Sequence, residues 1–163
     1  MPVRRVWIGA LGLALAGCGF ALRRPPELRF RSIQLRGFAS RSPLADELKK
    51  TIDSSTTTLV VESAAQAQVV LEAISDTREK TVVASTAAGQ VREFQLRARL
   101  NFRVLTPAGK ELVAPTEIVL TRDLSYSETL ALAKEQEEAF LFRAMQSDIV
   151  AQVMRRLATL QGF

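Results

Sequence analysis

The sequence predicts an α+β fold, a two-layer sandwich in which two helices pack on one face of a mixed sheet of about four strands. Three observations predict it. Phe94, Leu96, Ala98, Leu100, Phe102 and Val104 alternate with Gln95, Arg97, Arg99, Asn101 and Arg103, the period-two pattern of a strand with one buried and one wet face. A second patterned stretch, Glu111 to Leu124, follows across Thr106-Pro107-Ala108-Gly109-Lys110, a hairpin turn by composition. Two further segments, one after Ser42-Pro43 and one after Ser125, carry apolar residues at helical spacing. An amphipathic helix and a one-sided sheet each need a cover, and each can cover the other.

Taken in order, Leu28 to Leu35 reads as a first strand that Gly37 breaks. Ser42 is placed as a helix N-cap with Pro43 at the first helical position. Asp46 and Glu47 in the first turn and Lys49 and Lys50 later complement the helix dipole. Leu44, Leu48 and Ile52 share one face, and the helix is expected to end near Ser54. Leu59 to Val61 and Gln68 to Asp76 are rich in strand formers, with Thr77 to Val83 a candidate continuation. Ala84 to Gly89 is small and polar and reads as a mobile loop.

In the second patterned stretch Ile118, Leu120 and Leu124 fall on one face and Glu117 and Asp123 on the other. Pro115 argues for an edge position or a bulge. Ser125-Tyr126-Ser127-Glu128 fits a capping box. The helix it opens is expected to run from Glu128 to Leu160, roughly 50 Å at about 1.5 Å per residue. Its stripe is Phe142, Met145, Ile149, Val153, Leu157 and Leu160, joined earlier by Leu130, Ala133 and Leu141. A coiled-coil seam is the other reading of that stripe, but a sheet in the same chain needs covering.

The chain has 163 residues, 47% hydrophobic and 24% charged, with a mean hydropathy of +0.08. That length suits one domain, at about 100–200 residues per domain. The absence of histidine excludes Ser-His-Asp triads, Cys-His pairs and histidine zinc sites. A single cysteine excludes an intramolecular disulfide.

That cysteine sits where the N-terminal pattern requires one. Met1 to Arg5 is short and carries two arginines, and Val6 to Ala16 is apolar. This is the layout of a secretory signal, too short for a permanent span. Leu15-Ala16-Gly17-Cys18 matches a bacterial lipobox. The match implies a signal peptide over residues 1–17, cleavage before Cys18, and covalent diacylglyceryl and N-acyl groups on Cys18. Acyl chains contribute about 0.8 kcal/mol per buried CH₂, so three of them anchor a protein durably. Gly19 in place of Asp favours the outer membrane, facing the periplasm. Residues 18–27 read as a lipidated tether, with Pro25-Pro26 favouring extended chain, and residues 28–163 as one domain.

Without Arg4 and Arg5 the chain carries 20 basic and 17 acidic residues. Two stretches hold the excess. Gly19 to Ser42 contains six arginines against Glu27, and Val91 to Lys110 contains Arg92, Arg97, Arg99, Arg103 and Lys110 against Glu93. Basic clusters favour anionic partners. For a periplasmic lipoprotein these are phospholipid headgroups, lipopolysaccharide phosphates and acidic protein surfaces, not nucleic acid. Half of these arginines are expected to be solvated strand residues. Arg97, Arg99 and Arg103 form a row on the wet face, and reversing all three to Glu is expected to leave folding intact while weakening binding.

Several segments together resemble one family. Cys18-Gly19-Phe20-Ala21-Leu22-Arg23 directly after a lipobox is similar to the mature start of the lipopolysaccharide-assembly lipoproteins, the LptE (RlpB) family. Glu93-Phe94-Gln95-Leu96 resembles the start of the family's third strand, and Tyr126 through Glu138 its turn into the C-terminal helix. Gln146-Ser147-Asp148-Ile149 and Gln152 through Leu157 continue the likeness, which spans the mature chain. The resemblance implies two helices on a four-stranded sheet. It implies a non-enzymatic plug inside the LptD β-barrel that assists assembly of the barrel and delivery of lipopolysaccharide. It implies no cofactor beyond the acyl groups. Lys134 matches the family's basic residue near the start of the last helix. Val83 to Gln90 lacks the charge that members carry before the third strand, so Arg92, Arg97 or Arg99 would substitute. Two other functions compete: a lipoprotein that activates a cell-wall synthase, and a carboxylate-based hydrolase. The first expects a long tether, and about ten residues is short. The second needs two carboxylates facing one cleft.

Overall fold

The computed structural model describes residues 26–161 except Thr56. The expected signal peptide, Cys18 and the expected tether up to Pro25 lie outside the described residues.

Five strands and two helices form two layers. Strand β1 (Ser32–Arg36) leads into helix α1 (Pro43–Asp53), then β2 (Leu59–Val60), β3 (Val69–Ser85), β4 (Val91–Leu105), β5 (Glu111–Ser125) and helix α2 (Ala131–Ala158). The sheet order is β2-β1-β3-β4-β5. β1 lies parallel to both neighbours, with Ser32 opposite Leu59 and Ile33 opposite Val69. β3, β4 and β5 form an antiparallel meander, with Leu71 opposite Val104 and Phe94 opposite Leu124. The fifth strand is the two-residue β2, which lies within the Leu59 to Val61 stretch that its strand formers marked. β1 starts four residues later than expected, although Leu28 and Phe30 before it are buried.

Ser42 caps α1 as expected: its Oγ accepts a hydrogen bond from Ala45 N at 3.3 Å and donates one to Asp76 Oδ2 at 2.8 Å. Leu44, Leu48 and Ile52 are buried against the sheet. They meet Ile33, Leu71, Leu96, Leu100 and Phe102 from the strands and Met145, Ile149, Val153 and Leu157 from α2. Every even-numbered residue of β4 from Leu96 to Val104 is buried, so the period-two reading holds through the core.

The capping box does not form. Ser125 is still strand, a single 3₁₀ turn (Glu128–Leu130) follows, and α2 begins at Ala131 with no side-chain cap. The strand continues because Ser125 pairs with Glu93 and Tyr126 N donates to Arg92 O at 2.8 Å. Leu130 is 56% exposed and Ala133 is exposed, so neither joins the core stripe. Val150 and Met154 widen that stripe instead.

Ala84 to Gly89 is not a free loop. Ser85 ends β3, and Thr86–Gln90 closes a tight turn that matches Thr106–Lys110 bond for bond. In each, the Thr N–H donates to the carbonyl four residues on at 2.8 Å, and its hydroxyl accepts the returning N–H at 3.1 Å. Gly89 and Gly109 supply the positive φ at the same position. Pro115 behaves as expected: β5 is an edge strand, and the register slips beside it between Phe102 and Val104.

Candidate functional site

The residues singled out by sequence fall into two places. Arg97, Arg99 and Arg103 stand in a row on the sheet face opposite the helices, because β4 buries its even positions. Arg92 and Lys134 lie near the junction of β5 and α2. Arg92 lines a small cleft with Gln90, Ser127, Glu128 and Thr129. Lys134 Nζ donates to Ser125 Oγ at 3.0 Å and to Glu137 Oε2 at 2.8 Å, and its side chain is only 17% exposed.

The open face is less basic than its arginines suggest. Each arginine of the row meets a carboxylate from a neighbouring strand. Arg103 Nε donates to Glu72 Oε2 at 2.5 Å, and Arg36 reaches the other oxygen of the same carboxylate at 3.2 Å. Arg97 lies 3.9 Å from Glu79, and Arg99 lies 3.5 Å from Glu117. Cross-strand pairing puts Glu72 directly opposite both Arg103 and Arg36, and Glu79 opposite Arg97, while Arg99 reaches Glu117 on the diagonal, two residues along from its own partner Val119. Arg103, and behind it Arg36, hold the Glu72 carboxyl below its ordinary value, against a smaller upward push from burial. The face therefore presents a ladder of paired charges, which suits a polar protein wall better than a purely anionic surface. Reversing the three arginines would set new carboxylates against Glu72, Glu79 and Glu117, so the expectation of unaffected folding does not stand.

Toward the Thr86–Gln90 turn, the helix side of the sheet changes character. The positions of β3 that face α2 there are Arg78, Lys80 and Val82, not a run of apolar residues. Lys80 Nζ pairs with Glu138 of α2 at 2.5 Å and sits 4.2 Å from the centroid of the Phe94 ring. Phe94 meets Tyr126 edge to face at 5.2 Å. Arg78 donates to Gln146 and lies over Phe142 at 5.7 Å. These clips hold the first half of α2 to the sheet. Pattern reading missed them because the cations act through aromatic faces and amides as well as carboxylates.

A groove of about 740 Å³ opens between the start of α1 and the middle of α2, lined by Pro43, Glu47, Arg78, Glu138, Phe142 and Gln146 among others. Glu47 bridges the two helices, accepting from Gln146 Nε2 and from Ser147 Oγ at 2.6 Å. The first half of α2 also leaves large apolar side chains outside: Leu132 is 72% exposed and Phe140 is 62% exposed. Among the described residues no group of acidic or cysteine side chains could hold a metal ion, and no helix is long and apolar enough to cross a membrane.

Known proteins agree with this geometry. The family model described as LptE, lipopolysaccharide-assembly, matches residues 30–157. Among solved structures, an uncharacterized lipoprotein B from Nitrosomonas europaea is 33% identical, with a TM-score of 0.74 over 86% of this chain and 90% of that one. The rare lipoprotein B from Shewanella oneidensis is 24% identical, with a TM-score of 0.65 over 79% of this chain and 95% of that one. A minor lipoprotein from Acinetobacter baumannii, 17% identical, has the same TM-score over 82% of this chain and 96% of that one, a likeness of fold. Comparison with curated proteins finds no match.

Proposed function

The chain belongs to the LptE lipopolysaccharide-assembly family, and on that premise we propose that it is an outer-membrane lipoprotein that plugs the LptD β-barrel. In this reading it is acylated at Cys18, faces the periplasm, assists assembly of the barrel and helps deliver lipopolysaccharide to the outer leaflet. The role is non-enzymatic and needs no cofactor beyond the acyl groups.

The observation that carries this reading is the uncovered first half of α2. Leu132 and Phe140 stand exposed there beside Leu130, while the second half of the same helix buries Met145 to Leu157. Exposed apolar groups rimmed by charge mark surfaces that a partner covers. A protein wall would also meet the paired charges of the open face, Arg97, Arg99 and Arg103 with their carboxylates, at a lower cost than unpaired ions, provided that the wall is polar enough to bond their remaining donors and acceptors. Arg92, exposed beside the β5–α2 junction, and Lys134, anchored to Ser125 and Glu137, are the cations that would meet lipopolysaccharide phosphates.

Gentle detergent extraction of outer membranes with a C-terminal tag tests the proposal. One large barrel protein recovered in near-equal amount is the expected result. A cell-wall synthase, or no stable partner, would overturn it in favour of an activator or an unpartnered lipoprotein.

A further inference from the structure

The end of the domain opposite the exposed half of α2 carries cations that the plug role does not use. β1 and β3 begin there and β4 ends there: Arg31 N donates to Gln68 Oε1 at 2.7 Å, and Val70 pairs with Leu105 just before the Thr106–Lys110 turn. α2 descends to the same end, where the Arg156 guanidinium lies 5.9 Å from the centroid of the Phe102 ring. Arg29, Arg31, Lys110, Arg155 and Arg156 therefore share this end. None of them is in a salt bridge among the described residues. The nearby acidic side chains are Glu27, Glu111 and Asp53, and the Asp53 carboxylate accepts from Val60 N at 3.1 Å.

Two observations point to what these cations bind. Gln152, Arg155, Arg156 and Thr159 line a cleft of about 310 Å³, and the buried Nη1 of Arg156 has no acceptor among the described residues. The dipole of α2 favours cations in its last turn but gives Nη1 no oxygen to bond. The second observation is covalent. The described chain starts at this end, and eight peptide links separate Pro26 from Cys18. Those links reach at most about 30 Å.

We propose that this end is a basic collar that binds the phosphates of anionic phospholipids and seats the domain on the leaflet that holds the Cys18 acyl chains. The proposal rests on the lipid-anchor reading but not on the barrel. Arg155 and Arg156 supply the specific part, a fork of donors around one phosphate. Arg29, Arg31 and Lys110 supply a general attraction that salt screens.

The twin turns make the test internal. Cys18 is the sole natural cysteine, so a fluorophore can be placed at Ala108→Cys, on the collar end, or at Ala88→Cys, on the far turn. The mature chain, shown by intact mass to be acylated, is reconstituted into vesicles of phosphatidylcholine alone or with about a third phosphatidylglycerol, each holding a headgroup quencher. Phosphatidylglycerol should raise quenching at position 108 about twofold, and about 0.5 M salt should reverse the rise. Position 88 should not respond. Arg155→Gln with Arg156→Gln should remove most of the rise, and Arg155→Gln alone serves if the pair melts early. Equal quenching in both lipids, equal responses at both turns, or no effect of the arginine variants would overturn the collar. A mass without acyl groups would refute the anchor; flotation of that chain then tests the surface directly, and failure to float with phosphatidylglycerol overturns it. Loss of the barrel partner in the pull-down would leave all of these readings unchanged.

Discussion

The two halves of the long meander are built from the same strands but held in different ways. Near the start of β3, Val69, Val70, Leu71 and Ala73 are buried, and α1 and the second half of α2 cover the helix side. Farther along the same strand every residue from Thr77 to Val83 is exposed. There Lys80 and Arg78 clip the first half of α2 to the sheet, beside a thinner apolar layer in which Leu141 and Phe142 of the helix and Phe94 and Leu124 of the strands join the core. One half holds most of the fully buried core. The other is a frame of paired strands and polar clips that leaves Val82, Val83, Leu132 and Phe140 to something else. A domain that folds in one half can commit the other to a partner.

The largest effect should come from the covered half. Phe102 is fully buried between the helices and the sheet. Phe102→Ala should cost about 3–5 kcal/mol in a urea titration. Gly37→Ala should follow, on the order of 3 kcal/mol. Gly37 holds a φ of +81°, and a Cβ there would sit 2.2 Å from the Ala73 carbonyl oxygen, so backbone must move. A loss under about 1 kcal/mol at Phe102 would show that this half is not tightly packed, and one that small at Gly37 that the backbone there gives way without strain.

The clipped half should respond weakly. Glu138→Gln leaves Lys80 over Phe94 but removes its partly exposed ion pair. The loss should be at most about 1 kcal/mol and should shrink in high salt, read from urea midpoints at two ionic strengths. A larger, salt-independent loss would make the clip part of the core.

The open face adds a pH signature. Glu72 titrates below its unfolded value because Arg103 and Arg36 hold it ionised. Its contribution is therefore fully present above the unfolded value of about 4.3 and is lost as pH falls through the lower folded value. Glu72→Gln should flatten that acid limb of the stability curve and lower stability at neutral pH. An unchanged limb would show that the Arg36–Glu72–Arg103 ladder does not stabilise the fold.

Legibility in the sequence follows the same division. The core half was readable because it obeys simple periods: Leu96 to Val104 in steps of two, Leu44, Leu48 and Ile52 in steps of four, and Ser42-Pro43 as a local start signal. Pro115 announced its edge strand and bulge for the same local reason. Local signals failed where long-range partners decide. Ser125 stayed in β5 because Glu93 pairs with it, overriding a capping box. Ala84 to Gly89 looked like a mobile loop because the strand before it shows no apolar alternation, yet β4 pairs with it up to Ser85. The arginine row was visible, but its neutralisation depends on register: Glu79, Glu117 and Glu72 become neighbours only across strands.

On the proposed function, the exposed apolar side chains of the first half of α2 are dispensable for folding and required for the partner. The direct measurement pairs a urea titration with the tagged extraction, using Leu132→Glu with Phe140→Glu. Both positions are exposed, so stability should stay within about 0.5 kcal/mol while the near-equal recovery of the barrel protein is lost. A variant that keeps its full complement of barrel while remaining equally stable would contradict the claim.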